Sequence, residues 1–129
     1  MSRISIVLIE DEAELSTTVE FLRKLHSHLK VAATTIDGTA GVLYAQALQP
    51  DIALVDLQLD GFTGLQTIRR LRDLLPEMAI IALSLSDQGL YRQTALAAGA
   101  DEFVSKTRVV EDLFAAVVQA AQLANTRRL

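Results

Sequence analysis

Short apolar runs alternate with longer stretches of three- and four-residue periodicity along the whole chain. Ile4 to Ile9 (ISIVLI), Val31 to Ile36, Ile52 to Val55 (IALV), Ala79 to Leu83 and Glu102 to Ser105 are short and mostly rich in β-branched residues, and they predict strands. Several are apolar at nearly every position rather than alternating, which predicts strands buried on both faces. Helices are predicted between them. Ala13 to about Leu29 carries Leu15, Val19, Leu22, Leu25 and Leu29 on one stripe. Thr39 to Leu48 follows the turn signal Asp37-Gly38 and ends before Pro50, and Gly64 to Leu75 is closed by Pro76. Gln88 to Ala98 precedes Gly99, a residue suited to ending a helix in left-handed backbone. Val109 to Leu123 sets Leu113, Val117 and Ala120 or Ala121 inward. Residues 1–124 therefore read as one domain, with 125–129 as a frayed tail or the start of a linker.

Five strands alternating with five helices predict an α/β fold, a doubly wound parallel sheet covered on both faces and joined by right-handed crossovers. Periodicity leaves the strand order open. It does locate function, because ligands in such sheets bind beyond the carboxyl ends of the strands, where the winding reverses.

Composition narrows the classes. A net charge of −4 argues against direct nucleic-acid binding by this segment and against an anionic membrane as partner, since both favour a basic surface. No cysteine is present, which excludes disulfides, thiolate chemistry and zinc–sulfur sites. The first apolar run is too short for a signal peptide and ends in Glu10-Asp11-Glu12. No stretch approaches the ~20 apolar residues of a membrane helix. The expectation is a soluble, cytoplasmic protein.

The polar residues at the predicted strand ends form a coherent set. The first strand delivers Glu10 and Asp11, the third Asp56, the fourth Ser84 and the fifth Lys106. Carboxylates brought together repel unless something positive intervenes, and a hard divalent cation such as Mg²⁺ (or Mn²⁺) suits such oxygens while keeping several waters. Lys106 would add a point charge and Ser84 a hydroxyl for a phosphoryl oxygen. That equipment suits phosphoryl transfer to a carboxylate, in which catalysis is positioning plus charge neutralisation, with Asp56 as nucleophile. Singly, each residue has a structural explanation: Asp11 as a helix cap, Asp56 as a turn former, Ser84 as a turn cap, Lys106 as a solvated charge, and Phe103 as core. Those explanations do not predict which strand carries which residue.

On these residues the sequence resembles the response-regulator receiver domain of two-component signalling, from about Ile4 to Ala121. IVLIEDE resembles the family's first strand and acidic pair, and DIALVDLQLDGFTG its phosphoacceptor strand and loop. AIIALS carries the switch hydroxyl at Ser84, and AAGADEFVSK the lysine at Lys106. The resemblance implies the flavodoxin-like strand order 2-1-3-4-5. It implies Mg²⁺ held by Glu10, Asp11, Asp56 and the backbone carbonyl of Gln58, and a histidine kinase or histidine phosphotransfer protein as donor. It implies a switch in which Ser84 moves toward the phosphate and an aromatic side chain, here Phe103, turns inward. Such a domain catalyses only its own phosphorylation and dephosphorylation, so it is not an enzyme in the ordinary sense.

The sequence departs from the family pattern at several positions. Leu85 stands where a small residue is usual and would narrow access to Asp56. Thr107 replaces the frequent proline after the lysine, so the bend there must be made otherwise. Asp60 stands where proline is frequent before Gly61. Gln58 and Ser86 fill variable positions flanking the phosphate and are expected to tune hydrolysis. Phe103 lacks the hydroxyl of the more usual tyrosine, leaving packing to orient it. Leu85 and Thr107 are the support for an alternative, an unphosphorylated pseudo-receiver acting as an interaction module. An aspartate-nucleophile phosphatase would require D-x-D after the first strand, where Glu10-Asp11-Glu12 stands. The stretch ALSLSDQGLYRQTALAAGADEFVSK is similar to receivers of the DNA-binding nitrate-regulator class. Output is therefore expected through a downstream protein target or a missing C-terminal output domain. By family analogy, the face of the fourth helix, fifth strand and fifth helix carries output and possible dimer contacts.

Overall fold

The computed structural model describes residues 3–59, 63–86 and 89–129. Asp60, Gly61 and Gln88 lie outside the described residues. Five parallel strands, β1 (Ile4–Ile9), β2 (Leu29–Thr35), β3 (Ile52–Asp56), β4 (Ala79–Ser84) and β5 (Glu102–Ser105), form one sheet in the order β2-β1-β3-β4-β5. The helices are α1 (Glu12–Leu25), α2 (Gly38–Leu48), α3 (Gly64–Leu74), α4 (Gly89–Ala98) and α5 (Val109–Arg127), with a 3₁₀ turn at Lys106–Arg108.

Successive strand residues face opposite sides, and each side is a core. Val7, Ile9, Ala53, Val55, Ile80, Ala82 and Phe103 pack with buried residues of α2, α3 and α4. Ile6, Leu8, Ile52, Leu54, Ile81, Leu83 and Val104 pack with Leu22 of α1 and Leu113, Ala116, Val117, Ala120 and Ala124 of α5. Two buried faces account for the continuous apolar runs.

The structure corrects three local expectations. The first helix stops at Leu25 rather than Leu29, because Leu29 opposes Ile4 in the β1–β2 register and Ile4 N–H donates to His28 O at 2.7 Å. His26 and His28, which a longer helix would set on different faces, instead lie in the intervening turn with ring centroids 5.1 Å apart. The last helix continues to Arg127, so residues 125–127 are helical rather than frayed. Arg127 Nη2 donates to Asp101 at 2.6 Å, and Arg128 reaches Asp51 and the Pro50 carbonyl, tying this end to the base of the sheet. Asp101 is also held by Arg72 at 2.8 Å and accepts from Ile80 N–H at 2.9 Å.

The winding reverses between β1 and β3, which lie side by side while β2 flanks β1 on the other edge. The carboxyl ends of β1 and β3 carry Glu10-Asp11 and Asp56.

Candidate functional site

Lys106 is the hub. Its Nζ lies 2.8 Å from Asp56 Oδ2, 3.2 Å from Glu14 Oε2, 3.4 Å from Glu10 Oε1 and 3.7 Å from Asp11 Oδ2. The Lys106 side chain is only 5% exposed, Glu10 1% and Asp56 0%. Burial by itself would lower the lysine's pKa. The hydrogen bond and charge of Asp56, followed by Glu10 and Glu14, outweigh burial and raise it above the usual value, so the ammonium is locked on. Glu10 is pushed the other way. Burial raises its pKa, and Thr18 and Lys106 offset only part of that. Its Oε2 is buried without a hydrogen-bond partner.

Local structure delivers each group. Asp11 has two jobs: its Oδ1 caps α1 by accepting from Glu14 N–H at 3.0 Å, while Oδ2 faces the lysine. Its own N–H donates to Asp56 Oδ2 at 3.3 Å. Asp56 Oδ1 accepts from Gln58 N–H at 2.8 Å. Thr63 and Gln66 start α3 with a reciprocal capping box. Gly64 then passes so close to the Asp56 carbonyl oxygen that a Cβ there would sit 2.2 Å from it.

Ser84 is buried beside this cluster. Its hydroxyl accepts from Gln58 Nε2 at 3.2 Å and from Ser86 N–H at 3.1 Å, rather than contacting Asp56. Leu85, expected to narrow the approach to Asp56, is 57% exposed. The bend after Lys106 is a 3₁₀ turn capped by Ser105 Oγ, which accepts from Thr107 N–H at 3.3 Å. Phe103 is buried in the core, and the Arg92 guanidinium sits 5.0 Å from its ring centroid. The expectation that packing alone orients this ring is therefore corrected: a cation–π contact contributes.

Glu10, Asp11, Asp56 and Lys106 are thus brought together, with Ser84 and Gln58 adjoining through their own hydrogen bonds. The sequence reasoning overlooked Glu14, which stands one helical turn after Asp11 on the same side of α1, a spacing that could have revealed it. Among the described residues, no group of three or more His, Cys, Asp or Glu side chains is already spaced as a metal-binding set. The chemistry nevertheless fits a hard cation: the donors are carboxylate oxygens, and Glu10 Oε2 is a buried acceptor without a hydrogen-bond partner among the described residues. Among the described residues no helix is long and apolar enough to cross a membrane.

Comparison with known proteins agrees with this geometry. Residues 6–118 match the response regulator receiver domain family. The chain is similar to the nitrate/nitrite response regulator protein NarL of Escherichia coli K12, at 35% identity over 117 residues, covering 91% of this chain and 54% of that protein. It spans about half the length of the curated relatives it matches. Among solved structures, the signal receiver domain of a response regulator NarL from Mycobacterium tuberculosis superposes with TM-score 0.84 at 25% identity, covering 95% of this chain and 98% of that one. The response regulator domain of Thermotoga maritima CheB gives 0.82 at 21% identity, covering 93% and 97% of the two chains, a likeness of fold.

Proposed function

Because the chain belongs to the response-regulator receiver family of two-component signalling, we propose that it accepts a phosphoryl group on Asp56 from a phosphohistidine donor. The observation that carries this is the buried Asp56–Lys106 contact of 2.8 Å, with Glu10 and Asp11 converging on the same ammonium.

An oxygen of the ionised Asp56 carboxylate attacks phosphorus. The O–P bond forms, the P–N bond of the donor breaks, and the imidazole leaves with that electron pair. No general base is required, because the carboxylate has no proton to lose. Charge spreads over the equatorial phosphoryl oxygens in transit, and Lys106, protonated and held in place, neutralises part of it without reorganising. The Asp11 and Gln58 backbone N–H groups fix the Asp56 carboxylate orientation. Mg²⁺ (or Mn²⁺) held by Glu10, Asp11, Asp56 and the backbone carbonyl of Gln58 would supply the remaining positive charge. Ser84 would hydrogen-bond a phosphoryl oxygen after leaving its present partners, and Phe103 would report the change to the α4–β5–α5 face, where Tyr91 and Val110 are exposed.

The donor would be a histidine kinase or histidine phosphotransfer protein. The output would be a separate protein target or a C-terminal domain of a longer chain, with dimer contacts through that same face. The reading also implies a cytoplasmic protein. No observation favours the pseudo-receiver that Leu85 and Thr107 suggested. Incubation with acetyl phosphate and Mg²⁺, followed by intact-mass measurement, should add one phosphoryl group to the wild-type chain and none to Asp56→Asn. Many turnovers of a small phosphomonoester per chain would instead indicate a phosphatase.

A further inference from the structure

Asp56 has no accessible surface, although it is the group a phosphoryl donor must reach. Lys106 and the Asp11 backbone cover its Oδ2 side. On its Oδ1 side the Gln58 N–H is bound, and the Gln58 side chain then leaves the β3–α3 loop for the β4–α4 loop. Both ends of the carboxamide are used there. Nε2 donates to Ser84 Oγ at 3.2 Å, and Oε1 accepts from Leu85 N–H at 3.1 Å. The span bridges neighbouring strand ends, since Asp56 stands opposite Leu83 in the β3–β4 register. A hydroxyl has two lone pairs. With Ser86 N–H also donating to it, Ser84 Oγ has both engaged as an acceptor and is held toward these two groups, while its O–H hydrogen is what a phosphoryl oxygen would take.

We propose that the Gln58 carboxamide is an autoinhibitory strap, holding Ser84 and Leu85 to the chain two residues beyond Asp56 in the resting form and letting go before a phosphoryl group fits on Asp56. The inference rests on reading Asp56 as the phosphoacceptor. Gln58 acts as a positioning residue, through Ser84 and Leu85, and takes no part in the bond exchange. Gln58 is exposed, and among the described residues its carboxamide hydrogen-bonds to these two groups. One ordinary intramolecular hydrogen bond biases an equilibrium about fivefold. Two of them therefore bias the resting form by up to about twenty-five-fold, an amount that a charged ligand at Asp56 overcomes. An equilibrium held toward a closed form weakens apparent ligand affinity by the same factor.

Beryllofluoride with Mg²⁺ is the probe, titrated against the full chain by NMR, alongside Gln58→Met and Gln58→Asn. Methionine keeps the side-chain length and removes both bonds. Asparagine keeps the amide but is one methylene too short to reach both partners. Both variants should bind beryllofluoride about five- to twenty-five-fold more tightly than wild type. Without ligand, both should exchange the Leu85 amide hydrogen several-fold faster. Equal or weaker binding in the methionine variant, or an unchanged Leu85 exchange rate, overturns the strap. A retained wild-type affinity in the asparagine variant overturns it also, since amide chemistry alone would then suffice. A wild-type chain with no Asp56-dependent binding overturns the phosphoacceptor reading and the strap with it. Wild-type binding with unaltered variants overturns the strap alone.

Discussion

Replacing Lys106 with methionine removes the ammonium while nearly preserving side-chain volume, and leaves Glu10, Asp11, Glu14 and Asp56 facing one another. At an effective dielectric of about 20, opposite unit charges at the 2.8 Å Lys106–Asp56 separation attract by roughly 6 kcal/mol. Dehydrating the ammonium cancels much of that. The cost of the substitution is set instead by the buried charge left behind, about 3–5 kcal/mol when one partner of a buried pair is removed. The lower end applies, because Asp11 and Glu14 are about one-third exposed and can turn to water, whereas Glu10 and Asp56 cannot. The expected loss is about 3 kcal/mol at pH 7.5, or roughly 10 °C in Tm for a domain of this size. Glu10 sets the pH dependence. A carboxyl whose folded pKa is raised contributes stability that is present below the unfolded value and lost as pH rises through the folded value. Without Lys106 the folded value rises further, so the penalty should be larger at pH 7.5 than at an acidic pH near the ordinary carboxylate value. Urea unfolding followed by circular dichroism, with a chelator present, measures both. An equal penalty at the two pH values, or a variant more stable than wild type at pH 7.5, would refute the claim that the ammonium holds these carboxylates together.

Other substitutions probe the frame around the site. Asp101→Asn should cost about 2 kcal/mol at pH 7, because Arg72 and Arg127 lose their shared counter-charge. Burial opposes the ionised form of Asp101, but Arg127, the Ile80 N–H and Arg72 together hold its pKa below the usual value. Its stabilisation is therefore present above the unfolded value and lost as pH falls through the lower folded one, so thermal melts of wild type and variant should converge as pH falls below the ordinary carboxylate range. Gly64→Ala should cost about 2–3 kcal/mol through overpacking against the Asp56 carbonyl. It should also slow phosphoryl uptake from acetyl phosphate, and wild-type stability with wild-type uptake would show that the backbone yields freely. Arg92→Ala should cost about 0.5–1 kcal/mol through its contact with Phe103, measured by urea unfolding against Arg69→Ala as a reference.

The α/β alternation was legible because strands buried on both faces leave continuous apolar runs, and helices leave a stripe. The site's main members were legible for a related reason. A parallel sheet sends every strand's carboxyl end to one rim, so polar residues following the apolar residues Ile9, Val55, Leu83 and Val104 had to share a neighbourhood. Helix ends were less legible. Leu29 continues the stripe of α1 in sequence, yet strand pairing with Ile4 claims it. The helical continuation to Arg127 depends on Asp101, an acid 26 residues away in the chain.

Sequence by itself determined which chemical groups stand at the rim: the acids, the hydroxyl and the lysine, each fixed to the end of its strand by covalent order. Only the tertiary structure decided how those groups are partnered. Distances of 3 to 4 Å between residues tens of positions apart depend on strand order, register and the turn each loop takes, and local pattern encodes none of these. That is why Glu14 joins the lysine, why Asp11 divides its two oxygens between a helix cap and the cluster, and why the Gln58 carboxamide lies across Ser84 and Leu85.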